Sequence, residues 1–329
     1  MAPKTITIFG ATGAQGSSVI NSLLKNASND FTLRGITRNA NSDKSNALRA
    51  RGVEMVQADG LVKDDMVSAL KGSWGVFVNT NSDDPAIGQP GGPSETDLGK
   101  IIADAAAEVG VQHFVYSGMQ SASKITNGAV PNQAFDEKNA IGEYAKAKGF
   151  KSTVIVSPGW YMENHLVEEL APIFGGFPFQ ADEDGYYTLR APRWGGNDEI
   201  NFIAIGDDFG DLVHGVFLDP EKYNGQLVQA MSESATAEQL VQAFAAATGK
   251  KSRFVPIDDW KSFETYGERS LETVKYMFGF CQHSGGLYYG VPNDLTVPRE
   301  LKSAAVQAQG GGEVNLMTLG TFFKKHFAG

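Results

Sequence analysis

Three glycines near the amino terminus stand at a spacing that suits a diphosphate. In the run IFGATGAQGSSVI, Gly10, Gly13 and Gly16 directly follow a strand-like segment and directly precede a helix-like one. Gly10 permits a tight turn, and Gly13 lets backbone N–H groups approach an anion. Gly16 lets the helix pack close to the strand with its positive end facing the phosphates. Elsewhere the same spacing is an ordinary glycine turn; the strand before and the helix after raise it above that. Thr12, Ala14 and Gln15 complete the set expected to touch a dinucleotide there.

The end of the second strand-like run selects the nucleotide. Proteins that bind NAD place an acidic residue there for the ribose hydroxyls. This chain has Ile36, Thr37, Arg38 and Asn39. Arg38 offers a planar fork to a 2′-phosphate that a carboxylate would repel, with Lys44 as further charge, so NADP(H) is the expected cofactor. A solvated surface arginine is the plainer reading. Asp59, before Gly60, either accepts from the adenine amino group or caps a helix. Asn79, Thr80 and Asn81 end the fourth run, and Ser117 and Gly118 the fifth; both ends are expected to line the groove. Ser117 stands where a catalytic serine would be, or merely terminates its strand.

These residues need a scaffold, and the alternation of short β-branched runs with helical ones supplies it. Strands are expected at Thr5–Phe9, Thr32–Thr37, Glu54–Gln57, Gly75–Asn79, His113–Ser117 and Ser152–Val156. Helices are expected at Ser17–Lys25, Ser45–Arg51, Asp64–Leu70, Leu98–Val109 and Phe135–Ala147, each with apolar residues three and four apart. Right-handed crossovers then give an α/β fold with a doubly wound parallel sheet. The Pro- and Gly-rich segment Asp83–Ser94 follows the fourth strand and is expected to be a mobile loop over the ligand edge. Residues 1–158 form the expected nucleotide-binding domain. Residues 159–329 form a smaller α/β lobe over the carboxyl edge of the sheet, with some chain crossing back. Its expected strands are Asn201–Ile205, Gln226–Ala230 and Arg253–Pro256, with helices at 207–218, 236–247, 267–279 and 316–327.

Composition narrows the partners. The 38 acidic against 28 basic side chains give a formal net charge of −10, which opposes nucleic acid in the absence of a basic patch. The single cysteine, Cys281, forbids an intramolecular disulfide and reads as a small buried hydrophobe. No apolar run approaches the roughly 20 residues of a membrane span, and no leader pattern precedes the first strand. The expected compartment is the cytoplasm, with the nucleus as the alternative. The five histidines have no metal-site spacing, and no GxSxG, HExxH or P-loop lysine occurs. The acidic pairs Asp207–Asp208 and Asp258–Asp259 precede helical runs and read as caps.

The segments FGATGAQGSSV, HFVYSG, FDEKNAIGEYAKAKG, SPGWYMEN and IGDDFGDLVHGVFLDP together resemble the NmrA-like family, an atypical branch of the short-chain dehydrogenase/reductase superfamily. The resemblance implies a Rossmann-type fold carrying NADP(H). It also implies one of two roles: a redox-sensing regulator that binds the nucleotide without turning it over, or a true reductase. Superfamily enzymes place a tyrosine four residues before a lysine, so that one helical turn sets both over the nicotinamide. Lys138 matches the lysine, but Ala134 stands where the tyrosine would be. Lys138 can still bind ribose hydroxyls, or it is an exposed helix lysine paired with Glu137 or Glu143.

The same resemblance puts the turn Pro158–Gly159–Trp160–Tyr161–Met162–Glu163–Asn164 beside the nicotinamide. Pro158, Gly159, Tyr161 and Asn164 thereby become cofactor contacts, and Tyr161 with Lys138 the catalytic candidates. Packing between the lobes is the other reading of Tyr161, and a structural role that of His165. The missing tyrosine favours a redox sensor with a protein partner. The alternative is an NADPH-dependent reductase of a small carbonyl, imine or enone, held by Trp160, Phe174, Phe177, Phe179, Tyr186, Tyr187 and Trp194; lobe packing would equally account for these rings.

Overall fold

The alternation read from the sequence folds into a seven-stranded sheet in which every pairing is parallel. The structure is a computed structural model that describes residues 3–28 and 30–328. In chain order its first elements are β1 (Lys4–Phe9), α1 (Ala14–Leu23), β2 (Phe31–Thr37), α2 (Asp43–Arg49), β3 (Glu54–Gln57), α3 (Lys63–Leu70), β4 (Gly75–Val78), α4 (Glu95–Glu108) and β5 (His113–Ser117). Then come α5 (Ala122–Ile125), α6 (Gln133–Lys146), β6 (Ser152–Pro158) and β7 (Trp160–Tyr161). The rest comprises β8 (Tyr187–Pro192), β9 (Ile200–Ile203), α7 (Gly210–Leu218), β10 (Leu227–Ala230), β11 (Glu233–Ala235), α8 (Ala237–Thr248), β12 (Ser252–Ile257), α9 (Arg269–His283), α10 (Thr296–Ala308) and α11 (Leu319–Phe327).

The sheet order is β10-β6-β5-β4-β1-β2-β3, so the direction of winding reverses between β1 and β4. Period-two alternation builds the two layers. Ile6, Ile8, Phe77, Val115, Val154 and Val156 point to one core, shared with α1 and α7. Val76, Val78, Phe114, Tyr116 and Ile155 point to the other, shared with α3, α4 and α6. Each side chain fully buried this way contributes about 1.5–3 kcal/mol.

The structure corrects several expectations. Six strands were expected in the sheet, yet β10 joins it as a seventh, although residues 226–230 read as part of the second lobe. A strand's partner across some seventy residues leaves no mark in its own composition. Helices α1 and α4 begin three residues earlier than expected, because apolar periodicity starts after the cap; Ser94 and Asp97 form a capping box that starts α4 at Glu95. Helix α10 was missed; its one proline, Pro298, lies in the first turn, where its missing N–H is no loss. Strand β8 was also missed; it pairs in parallel with β12 in a separate two-stranded sheet.

The acidic pairs divide. Asp259 does cap, accepting from the Lys261 N–H at 3.0 Å. Asp208 does not: it is 1% exposed, pairs with Lys302 at 2.9 Å and accepts from Ser232 and from the Met317 N–H. Lys302 also meets Asp211 at 2.6 Å, tying α10 to α7. Among the described residues no helix is long and apolar enough to cross a membrane.

Three buried histidines, His113, His165 and His214, set an acid limit on stability, each with its pKa lowered chiefly by burial. Burial depresses the pKa of His165 and of His214 from 6.5 to about 4, in His214 against the opposing pull of Asp211. The unfolded chain therefore takes up protons first, and the contribution of each of these two, up to about 3 kcal/mol, is full above pH 6.5 and is lost as pH falls toward 4. Urea midpoints measured at pH 7, 6 and 5 should fall progressively. A flat profile over that range would contradict this assignment.

Candidate functional site

The glycine turn lies at the reversal point of the sheet, where such folds bind ligands. Gly10 follows β1 with φ +80°, and a Cβ there would sit 3.2 Å from the carbonyl oxygen of Asn79, just after β4. The Gly13 N–H donates to the Gly10 carbonyl at 3.0 Å, which closes the turn. At Gly16 a Cβ would overlap the Gly10 carbonyl group, with the carbonyl carbon at 2.8 Å and Ala11 Cα at 2.9 Å. Helix α1 starts at Ala14 with no side chain capping it and no acidic residue in its first turn. Its leading N–H groups are therefore available to an anion.

From this turn a cleft of about 460 Å³ runs across the edge of the sheet. It brings together Gly10, Thr12, Arg38, Lys44, Asp59, Gly60, Asn79 and Asn81, all singled out in the sequence. Asp59 is not a helix cap, since that position in α3 is Val62; its Oδ1 accepts from the Leu61 N–H at 3.0 Å. Arg38 is 66% exposed and pairs with Asp84 at 2.8 Å. Asp84 and Ile87, from the segment read as a mobile loop, complete the wall. That segment is fastened: its Gly88 N–H donates to the Pro93 carbonyl, and Arg269 of α9 donates to the Ile87 carbonyl at 2.8 Å.

Thr80 and Lys138 lie apart from the cleft, in a buried polar cluster. The Lys138 ammonium donates to the Thr80 carbonyl at 2.7 Å, to Thr80 Oγ1 at 3.2 Å and to Glu95 Oε1 at 2.5 Å. Thr80 also donates to Glu95, Ser82 donates to the other carboxylate oxygen at 2.7 Å, and Tyr116 Oη stands 2.9 Å from Thr80 Oγ1. Glu95 is 1% exposed. Burial, reinforced by Glu95, pushes the Tyr116 phenol well above its usual pKa. Glu137 instead accepts from Thr96 and Gln133, and Glu143 pairs with Lys146, so neither is the partner of Lys138. Glu95 and Tyr116 escaped the sequence reading. The Ser94–Asp97 capping box marks the start of α4 but not the burial of Glu95, and Tyr116 looked like one more strand residue.

Tyr161 reaches the glycine turn from the second half of the chain. Gln15 Nε2, in the first turn of α1, donates to Tyr161 Oη at 2.5 Å, and Gln15 Oε1 is buried without a partner. Burial chiefly, with Glu163 adding, raises the Tyr161 pKa against the lowering effect of Gln15, so the phenol keeps its proton. The other candidates are enclosed. Ser117 is 3% exposed, Gly118 abuts Ile155 and Tyr116, Pro158 is buried with its carbonyl accepting from Tyr288, and Gly159 packs on the Asn201 backbone. Asn164 is half-buried in a short helical turn after β7. None of these five borders the cleft.

Several of the aromatic residues after β6 pack on other rings. Trp160 meets Phe174 edge-on at 5.9 Å and Phe278 at 5.8 Å, and Trp194 stacks on Tyr288 at 5.7 Å. The cavity among Trp160, His165, Trp194 and Phe278 is about 30 Å³, room for about two waters and not for an organic substrate. His165 is held neutral there by burial.

Comparison with known proteins gives the following likenesses. The family model for the NmrA-like family matches residues 2–303. The chain is 46% identical to the NmrA-like family domain-containing oxidoreductase hkm9 of Aspergillus hancockii, over 98% of this chain and 97% of the relative. It is 50% identical to the oxidoreductase lnaB of Aspergillus flavus, over 91% and 90%. Among solved structures, the negative transcriptional regulator NmrA in complex with NADP superposes with a TM-score of 0.75 at 21% identity, over 99% of this chain and 96% of that one. An NADPH-dependent quinone oxidoreductase of Escherichia coli superposes with a TM-score of 0.69 at 21% identity, over 98% and 99%.

Proposed function

This chain belongs to the NmrA-like family, and on that premise we propose that it is an NADP(H)-dependent oxidoreductase whose substrate is a small carbonyl, imine or enone. The observation that carries the reading is the cleft itself, which runs from Gly10 and Thr12 of the glycine turn to the guanidinium of Arg38, while the uncapped start of α1, outside its lining, follows Thr12 in the chain. The fit to a phosphorylated dinucleotide is chemical: amides for the diphosphate, Arg38 and Lys44 for the 2′-phosphate, and the Asp59 carboxylate for the adenine amino group. Similar folds hold NADP or NAD in the regulator and NADPH in the quinone oxidoreductase, which supports a dinucleotide here and leaves the choice of the phosphorylated form to Arg38 and Lys44.

NADPH, when bound, supplies a hydride. The chain supplies the positioning and the proton. Tyr161 keeps its proton at neutral pH and accepts a hydrogen bond from Gln15, so its own O–H is free to donate to a developing alkoxide or amide. This assigns to Tyr161 the task of the absent superfamily tyrosine. The full-length relatives named as oxidoreductases favour turnover over sensing. The sensor reading rests on Ala134, and on Lys138 directing its donors at protein acceptors.

Loss of NADPH absorbance, followed against a panel of carbonyls, imines and enones, separates the two. Turnover is expected, with Tyr161→Phe lowering kcat by about 10²–10⁴-fold at little change in NADPH affinity. Tight NADPH binding with no turnover of any panel member would favour the sensor. Arg38→Ala should weaken NADPH by about 2 kcal/mol, roughly thirtyfold, and leave NADH within about twofold by calorimetric titration. Equal losses for both nucleotides would refute that role for Arg38.

A further inference from the structure

We propose that Asp84 determines cofactor specificity by standing in for the 2′-phosphate on Arg38. NADP(H) must then displace it where NAD(H) need not, and the displacement releases the 82–93 segment from β2. The inference rests on the reading of the cleft as an NADP(H) site.

The geometry sets the two residues in unequal positions. Asp84 is 14% exposed and Arg38 66%, so the carboxylate is the sheltered member of the 2.8 Å pair. Asp84 is also the hinge of its own turn. Its N–H donates to the Asn81 carbonyl, its carbonyl accepts from the Ile87 N–H at 2.9 Å, and its Oδ1 accepts from the Ala86 N–H at 3.0 Å. The Oδ2 that remains is the one on Arg38. A phosphate monoester near neutral pH carries between one and two negative charges. It would compete with this carboxylate for one guanidinium and repel it at contact distance.

The displacement has a path outward. Three residues on from Asp84, Ile87 is 2% exposed, packed in the core behind the cleft, and its carbonyl accepts from Arg269 at 2.8 Å. Arg269 begins α9, whose Phe278 packs against Trp194. A phosphate arriving on Arg38 therefore loosens one end of a strap whose other end is fixed to α9. An unphosphorylated nucleotide leaves the strap fastened.

Asp84→Asn is the discriminating variant, because its amide oxygen can still accept from Ala86 while the charge is gone. In calorimetric titrations of the full chain, NADPH should bind Asp84→Asn about three- to tenfold more tightly than wild type, with NADH within about twofold. Amide exchange over residues 82–93 in the wild type should quicken under saturating NADPH relative to saturating NADH. In the variant, exchange should already be fast and insensitive to the choice of nucleotide. An unchanged or weakened NADPH affinity in Asp84→Asn, or identical exchange with the two nucleotides in the wild type, overturns the proposal. If the wild type binds neither nucleotide, or binds both equally with no effect of Arg38→Ala, the cofactor reading fails and takes the proposal with it. Preference for NADPH that depends on Arg38 but not on Asp84 defeats the proposal alone.

Discussion

Glu95→Ala is expected to destabilise the chain by about 3–5 kcal/mol, because it leaves the Lys138 ammonium buried without its counter-charge. The Lys138 side chain is 15% exposed and that of Glu95 2%, so water cannot readily take over. The same truncation removes the acceptor of the Thr80 and Ser82 hydroxyls. Glu95→Gln keeps an acceptor but not the charge and should lie between. The double variant Glu95→Ala, Lys138→Met removes both charges and should recover most of the loss, since the penalty belongs to the unpaired ion and not to the pair. Urea unfolding of the four proteins measures this. A single variant within about 1 kcal/mol of wild type would mean that the pair is solvated and the cluster of little structural weight.

Gly16→Val should be as severe, for a steric reason. The position a Cβ would take is occupied by the Gly10 carbonyl and Ala11 Cα, both backbone, and no rotamer change can clear them. Helix α1 must then move off β1, spoiling both the core of Ile6, Ile8, Val19 and Ile20 and the turn that presents the amides. A loss of about 3 kcal/mol or more in stability is expected, with nucleotide affinity reduced beyond detection in micromolar titrations. Gly13→Ala is the graded control: its Cβ would stand 3.3 Å from the Gly10 carbonyl oxygen, which a small shift can relieve. If Gly16→Val bound NADPH like wild type, the glycine turn would not be the phosphate site.

The parts of this molecule legible in its sequence are those written locally. A strand followed by Gly10, Gly13 and Gly16 reads as one unit because turn, amide approach and helix packing are each a matter of a few residues. The same holds for β1 to β6, whose short β-branched and apolar runs alternate with helical ones. Arg38 was found because the end of β2 has a fixed relation to the ribose in this type of sheet. What escaped reading depends on distant partners. Nothing near Glu95 announces that Lys138, 43 residues on, will share its burial. Asp84 looked like a loop residue until the fold set it against Arg38. Asp208 looked like a helix cap, yet its charge is met by Lys302, from a helix absent from the sequence reading. Trp160, Phe174 and Trp194 suggested a substrate pocket by type alone, and in the fold each packs against another ring.

The central claim is that the cleft holds a phosphorylated dinucleotide between the amides of α1 and the guanidinium of Arg38. A crystal structure of the chain grown with NADP⁺ tests it directly. The account predicts the diphosphate on the N–H groups at the start of α1 and the 2′-phosphate within hydrogen-bonding distance of Arg38. A nucleotide bound elsewhere, or one in this cleft with its 2′-phosphate turned away from Arg38 into solvent, would contradict it.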